Sequence, residues 1–195
     1  MQLLYTKRSP YARKAQVMAL EKNIPLELIE EDLLKKSPTL LAANPLGKIP
    51  ALILDDGQSL FDSPVICEYI DSLNNAPILI PSAQRFAILR WQALADGLMD
   101  ATVAMYLEKV RHPLDFNPKY LQHLDINCGL VLQYCEEHLA ELADFSLASI
   151  SVACAVDYIN FRAPHLNAEG MYPKLQAWLA DFSTRASMQE TLPVM

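Results

Sequence analysis

A small α/β domain joined by a short linker to an all-helical domain is the architecture that this 195-residue sequence predicts. Three observations lead there. Strand-like and helix-like segments alternate as far as residue 75, the stretch "NNAPILIPS" carries two prolines and no periodicity, and from Ala83 onward there is little strand signal. The expected division is a first domain over residues 1–75, a linker over 76–82 and a helical domain over 83–195.

"QLLY" is a short apolar strand, and "PYARKAQVMALEKN" after it is rich in helix formers, with Ala15, Met18 and Ala19 at helical spacing. "PLELIEED" alternates Leu26 and Leu28 with Glu27 and Glu30, as a half-buried strand does. Strand, helix and strand of this size suggest a βαβ unit. A short helix follows Ser37 and ends near "AANPLG", where Asn44, Pro45 and Gly47 break the pattern. "PALIL", the turn "DDGQ" and "SLF" read as a β-hairpin, because Asp-Gly between apolar runs is a strong turn signal. "SPVICEYIDSLN" closes the domain as a helix, giving the order β-α-β-α-β-β-α. Past the linker, "AQRFAILRWQALADGLMDATVAMYLEKVR" is one long helix with Leu94, Leu98 and Met105 on its apolar stripe. "PKYLQHLDINCGLVLQYCEEHLAEL", "LASISVACAVDYINFR" and "YPKLQAWLADFSTRA" supply three more helices.

Composition removes several classes of function. A net charge of -7, with no basic run, argues against a nucleic-acid surface, since phosphate binding wants clustered Lys and Arg. The N-terminus "MQLLYTKR" meets charge too early for a secretory segment, and "SLASISVACAV" stops at Asp157, too short to span a bilayer. A cytoplasmic protein with no membrane partner is expected. Cys67, Cys128, Cys135 and Cys154 form no CxxC pair and are expected as free, mostly buried thiols; with the histidines equally scattered, no metal is expected.

Three Ser-Pro pairs stand out: Ser9-Pro10, Ser37-Pro38 and Ser63-Pro64. A serine at the N-cap and a proline at the first helical position open a helix with no chemistry implied. That suffices for Ser37.

With "SPYA" after the first strand, "NPLGKIPAL" before the hairpin and "FDSPVICEYI" at the third helix, the chain resembles the glutathione transferase family over its whole length. It resembles in particular the bacterial YibF-type members, which share the pattern "SPY.RK", "FDSP", "ALADG.MDA" and "CAV.Y.NFR". The resemblance implies a thioredoxin-like N-terminal domain that holds glutathione, an all-helical domain covering a pocket for a small electrophile, and a symmetric homodimer. "SPYA" is similar to the redox motif Cys-Pro-Tyr-Cys with both cysteines replaced, by Ser9 and Ala12, so disulfide exchange through this pair is impossible.

What Ser9 offers a bound thiol is a hydroxyl donor at the positive end of a helix. Lowering an ordinary thiol pKa of ~8.5 by ~1 to 2 units requires roughly 1.4 to 2.7 kcal/mol. A hydrogen bond to a charged group supplies about 1.5 to 3 kcal/mol and a helix N-terminus about 0.3 to 1, so the two together suffice. Tyr5 is the rival hydroxyl, although it reads as core; Arg13 and Lys14 add positive charge that an exposed helix face explains equally well. The resemblance also implies that Ile49, before Pro50, pairs with the glutathione backbone as a short added strand; a cis Ile49-Pro50 bond would turn the Ile49 N–H and C=O toward it, and the sequence leaves the isomer open. It implies that Ser63 meets a carboxylate at a helix N-terminus and that Asp62, where many members have glutamate, takes the neighbouring ammonium. Lys36, or Lys35, is the candidate for the glycyl carboxylate. Asp96, beside a mid-helix Gly97 that invites a packing reason, is a candidate contact from the partner subunit, and Tyr11, Tyr106 and Arg111 are candidates for the electrophile pocket. The family's usual Ser/Thr-x-x-Asp capping box appears here as Ser146 and Ser149. The function expected is a serine-type transferase of detoxification. The alternatives are a transferase-fold binding or stress protein without turnover, and a glutathione-dependent peroxidase or thiol transferase, the last disfavoured by the missing cysteine at position 9.

Overall fold

The computed structural model describes residues 1–193. The first part of the chain folds as β1 (Gln2–Tyr5), α1 (Pro10–Glu21), β2 (Glu27–Glu30), α2 (Pro38–Ala43), β3 (Ala51–Ile53), β4 (Ser59–Leu60) and α3 (Ser63–Ser72). This is the expected order, and it makes a thioredoxin-like sheet. The strands lie in the order β2-β1-β3-β4, with β1 and β2 parallel and β3 antiparallel to both its neighbours. Successive side chains of a strand face opposite ways. Leu4 therefore packs with Leu40, Ala43 and Ala51 under α2, while Leu3, equally buried, serves the other face. The "DDGQ" turn closes by Leu54 N–H donating to Gln58 O at 2.8 Å, with Gly57 at φ +85.

Strand β2 departs from the expected alternation. Leu28 is 44% exposed and it is Ile29 that packs on the Leu4 cluster, because β2 is an edge strand with only one covered face.

Two compact units divide the chain, and the boundaries differ from the expected 1–75, 76–82 and 83–195. One unit is Met1–Arg85 with the chain from Arg185 onward, and the other is Phe86–Thr184. The expected linker stays with the first unit because Lys22, fully buried, donates from Nζ to Asp71 Oδ1 at 2.9 Å, Asn74 O at 2.9 Å and Pro77 O at 2.7 Å. Asp71 in turn accepts from the amides of Leu79 and Ile80 at 2.9 and 3.0 Å. An ion pair this dry stands only when its remaining donors and acceptors are filled, as here. The C-terminal segment joins the same unit through α1: Arg185 and Ser187 both donate to the Glu21 carboxylate, at 2.8 and 2.6 Å.

The second unit holds most of α4 (Arg85–Arg111), then α5 (Pro118–Glu137), α6 (Leu147–Arg162) and α7 (Pro173–Phe182). The four expected helices are present; α8 (Ala186–Glu190), in the first unit, had no separate sequence signal. On α4, Leu98 and Met105 are buried as the stripe requires and Leu94 is half-buried. Helix α6 is buried from Leu147 through Val156 without a break, the pattern of a helix apolar all round. At its start Ser149 Oγ accepts the Ser146 amide at 3.0 Å, so the shorter capping residue does reach. No helix among the described residues is long and apolar enough to cross a membrane.

Candidate functional site

The sheet register gathers three candidate segments at one end of the first unit. Leu4 lies opposite Ala51, so the end of β1 and the loop into α1 lie beside Ile49 and Pro50. Leu52 lies opposite Leu60, which carries Phe61 and Asp62 back to the same end and starts α3 there. Two helix N-termini thus flank the start of a strand, and the Ile49-Pro50 peptide, whose isomer the sequence leaves open, is cis.

Ser9 caps α1. Its Oγ accepts the Ala12 amide at 3.2 Å from extended backbone, and its own amide donates to Thr6 O at 3.1 Å. The bond to Ala12 uses a lone pair of the half-buried hydroxyl and leaves its hydrogen to donate elsewhere. Ser37 contrasts with it: Ser37 Oγ accepts from the Leu40 amide at 3.0 Å and donates to Glu31 Oε1 at 2.8 Å, so its donor is spent on the fold.

The third pair corrects the capping expectation. Asp62 is the N-cap of α3 and Ser63 is the first helical residue, because the chain reaches helical geometry one residue earlier than at the other two pairs. Asp62 is exposed and makes no side-chain capping bond, whereas Ser63 is 2% exposed. The amides of Ser63 and Val65 have no acceptor among the described residues. Open first-turn amides at a positive helix end suit a carboxylate.

Between these helix ends, Ile49 packs its side chain on the Leu4 cluster while its amide N–H and carbonyl take no partner among the described residues. The loop before it is organised by Asn44, fully buried, which donates from Nδ2 to Lys48 O at 2.8 Å and accepts the Leu46 amide at 3.1 Å. Sequence reasoning took Asn44 only as a helix breaker. Gly47 has φ +60, and a Cβ there would stand 3.0 Å from Lys36 Cδ and Nζ, so the glycine makes room for the lysine chain to lie along this loop. Lys35 instead pairs with Asp32 at 3.3 Å. Of the two lysines, Lys36 is the one beside the Ile49 segment.

Arg13 and Lys14 do not form an exposed basic face. They are 4% and 0% exposed, and Arg13 donates to Met188 O at 3.1 Å and Thr191 Oγ1 at 3.3 Å, anchoring the C-terminal segment. Tyr5 and Tyr11 are half-buried at the end of β1 and the start of α1. Asp96, Tyr106 and Arg111 lie along α4 in the second unit: Asp96 is half-buried, Arg111 is exposed at the helix end, and Tyr106 has the Arg162 guanidinium over its ring at 4.0 Å. Gly97 is exposed with nothing within 4 Å of where a Cβ would stand, so the expected packing reason is missing among the described residues.

All four cysteines are buried and none is in a disulfide. Burial pushes the Cys128 thiol up to about 11 and the Cys135 thiol up to about 12. Among the described residues no group of three His, Cys, Asp or Glu side chains is placed to hold a metal ion.

A family model described as "Glutathione S-transferase, N-terminal domain" matches residues 8–73. The chain is 37% identical over 168 residues to the uncharacterized GST-like protein YibF of Escherichia coli (strain K12), covering 83% of each. It superposes with a TM-score of 0.94 on the crystal structure of a glutathione transferase family member from Pseudomonas fluorescens Pf-5 with bound glutathione. That match has 38% identity and covers 100% of this chain and 99% of the other. A structure of a Pseudomonas fluorescens Pf-5 family member with bound S-(propanoic acid)-glutathione gives a TM-score of 0.90 at 39% identity, covering 100% of both chains.

Proposed function

Because the chain belongs to the glutathione S-transferase family, we propose that it binds glutathione across the sheet end and adds the glutathione thiolate to a small electrophile. The γ-glutamyl carboxylate lies on Ser63 and the first-turn amides of α3, with its ammonium on Asp62. The cysteinyl backbone pairs with the open N–H and C=O of Ile49 before Pro50, and the glycyl carboxylate turns to Lys36. The thiol then meets Ser9. The thiol proton goes to solvent, the Ser9 hydroxyl donates to the sulfur anion, and the α1 dipole adds to the same field. Sulfur forms a bond to the electrophilic carbon, and the displaced electron pair leaves with a halide or moves onto a neighbouring atom that is then protonated.

The observation that carries this reading is the state of Ser9: its lone pair is engaged by Ala12 and its hydrogen is free to donate, at the end of the sheet where Ile49, Ser63 and Val65 also hold open backbone groups. The glutathione and S-(propanoic acid)-glutathione bound by the Pseudomonas relatives support it. The chain's own cysteines do not compete, since they are buried and residues 9 and 12 are serine and alanine. A homodimer in the bacterial cytoplasm, with Asp96 facing the partner and Tyr11, Tyr106 and Arg111 toward the electrophile, and a role in detoxification complete the proposal.

The test is glutathione consumption with chlorodinitrobenzene. Conjugation that saturates in both substrates supports the reading. Glutathione binding without any conjugation would leave the fold as a binding protein, and turnover of a mixed disulfide instead would make it a thiol transferase.

A further inference from the structure

Helix α2 ends at a polar side chain that is wholly enclosed. Asn44, 0% exposed, follows Ala43 in extended backbone at φ -142 and ψ 104. Its amide donates to Leu40 O at 2.8 Å, the ordinary end of a helix. Its other three bonds run forward into the loop. The Asn44 carbonyl accepts the Gly47 amide at 2.8 Å, Oδ1 accepts the Leu46 amide at 3.1 Å, and Nδ2 donates to Lys48 O at 2.8 Å. Capping α2 therefore explains one bond of the four, and the rest fix the backbone of residues 46–48. The bond to Lys48 O has a consequence one atom further on. The Lys48-Ile49 peptide is not among the cis bonds, and in a planar trans peptide the N–H points opposite to the C=O. With Lys48 O turned in to Asn44, the Ile49 N–H of the same peptide is turned away from it, and it has no partner among the described residues.

We propose that Asn44 is a positioning residue for the cysteinyl backbone of glutathione: by holding Lys48 O it aims the Ile49 N–H outward at the ligand. The aim of the peptide stands on the loop's own hydrogen bonds, and glutathione as the group that receives it rests on the transferase reading above. The carboxamide is needed as donor and acceptor at once. Leucine, of similar size, would leave both the Leu46 amide and the Lys48 carbonyl without their partner. Aspartate keeps the shape and the acceptor, but turns a carboxylate oxygen on the Lys48 carbonyl, and the repulsion releases the peptide to rotate. The bond from Gly47 adds a second effect, since Lys36 lies against Gly47 and is seated by the same loop. Asn44 makes no hydrogen bond to Ser9 or to α3 among the described residues, so its loss is read in the affinity for glutathione and not in the rate at which bound thiolate reacts.

Two measurements on the whole chain decide it. Amide hydrogen exchange on the unmutated chain should find Leu46 and Gly47 protected throughout, and Ile49 exchanging rapidly alone and about tenfold or more slowly with saturating glutathione. Rapid exchange at Leu46 and Gly47, or an Ile49 amide that bound glutathione leaves unprotected, overturns the proposal. In conjugation of chlorodinitrobenzene, Asn44→Asp should raise the KM for glutathione about tenfold or more and leave kcat within about twofold. Ser37→Ala, which removes the cap at the other end of α2, should lose stability and keep the native KM. A native KM in Asn44→Asp, a fall in kcat at unchanged KM, or an equal rise in KM from Ser37→Ala overturns it. Should Asn44→Asp fail to fold, the exchange experiment still decides, because it needs no variant. If glutathione is bound and consumed while Ile49 stays unprotected, the transferase reading stands and the role of Asn44 falls. If glutathione is neither bound nor consumed, the transferase reading fails, and protection at Leu46 and Gly47 decides whether Asn44 holds the loop.

Discussion

Replacing Ser9 by alanine removes two things at once, and the structure lets them be separated. The hydroxyl caps α1 through Ala12 at 3.2 Å, and losing that cap costs about 1 kcal/mol of stability, whereas glycine at an N-cap costs only a few tenths. The second loss is the donor to the bound thiolate. A hydrogen bond to a charged acceptor contributes about 1.5 to 3 kcal/mol, or ~1 to 2 pKa units on the thiol. Without it the thiol returns toward ~8.5, and at neutral pH only ~3% remains as thiolate. Conjugation at neutral pH therefore falls about tenfold in both Ser9→Ala and Ser9→Gly. The deficit closes as the pH rises past about 9, where the thiol ionises unaided. The assay is kcat/KM with chlorodinitrobenzene across the pH range, with thermal unfolding run in parallel. Both variants should share the displaced pH profile while only the alanine variant loses appreciable stability. Ser37→Ala, whose hydroxyl already spends its hydrogen on Glu31, should lose stability and keep the native profile. A native pH profile in both Ser9 variants would refute the reasoning and leave Ser9 a cap.

Gly47→Ala should lose about 1 to 2 kcal/mol of stability from its left-handed backbone alone, and weaken glutathione further by pushing Lys36 off the loop; thermal melts with and without glutathione measure both parts. Glu21→Gln removes a carboxylate whose pKa is held low first by the hydrogen bond from Arg185. A depressed carboxylate stabilises above its unfolded pKa and stops doing so as the pH falls through its folded value. The variant should thus unfold more readily by about 1 kcal/mol at neutral pH, after allowance for solvent screening, and match the native chain in strong acid. Urea unfolding at the two pH values measures the difference, and an equal deficit at both would contradict the assignment. Gly97→Ala should stabilise by up to about 1 kcal/mol, since its Cβ meets nothing within 4 Å; destabilisation would instead mark a close contact with a partner subunit.

Much of this was legible because local chemistry and tertiary placement agree. Ser9-Pro10 and Ser37-Pro38 open helices in the way their capping preferences dictate, and Asp-Gly closes the hairpin between β3 and β4. What failed did so where placement overrides composition. Arg13 and Lys14 look like a surface pair in a list of residues. Arg13 is buried because the C-terminal segment, over 170 residues away in sequence, returns to supply acceptors at Met188 and Thr191. The same return removes α8 from the helical unit, and no local signal announces it. Alternation puts Leu28 on a covered face because it cannot tell an edge strand from a central one, and in the edge strand β2 Leu28 is exposed. The stacking of Arg162 on Tyr106 has no sequence signal, because it arises only when α4 and α6 pack together.

The most direct test of the central claim is a calorimetric titration of the unmutated chain with glutathione at neutral pH. The expected result is saturable binding of one glutathione per chain, weakened by Ser63→Ala and by Lys36→Ala. Absence of saturable binding at millimolar glutathione would contradict it.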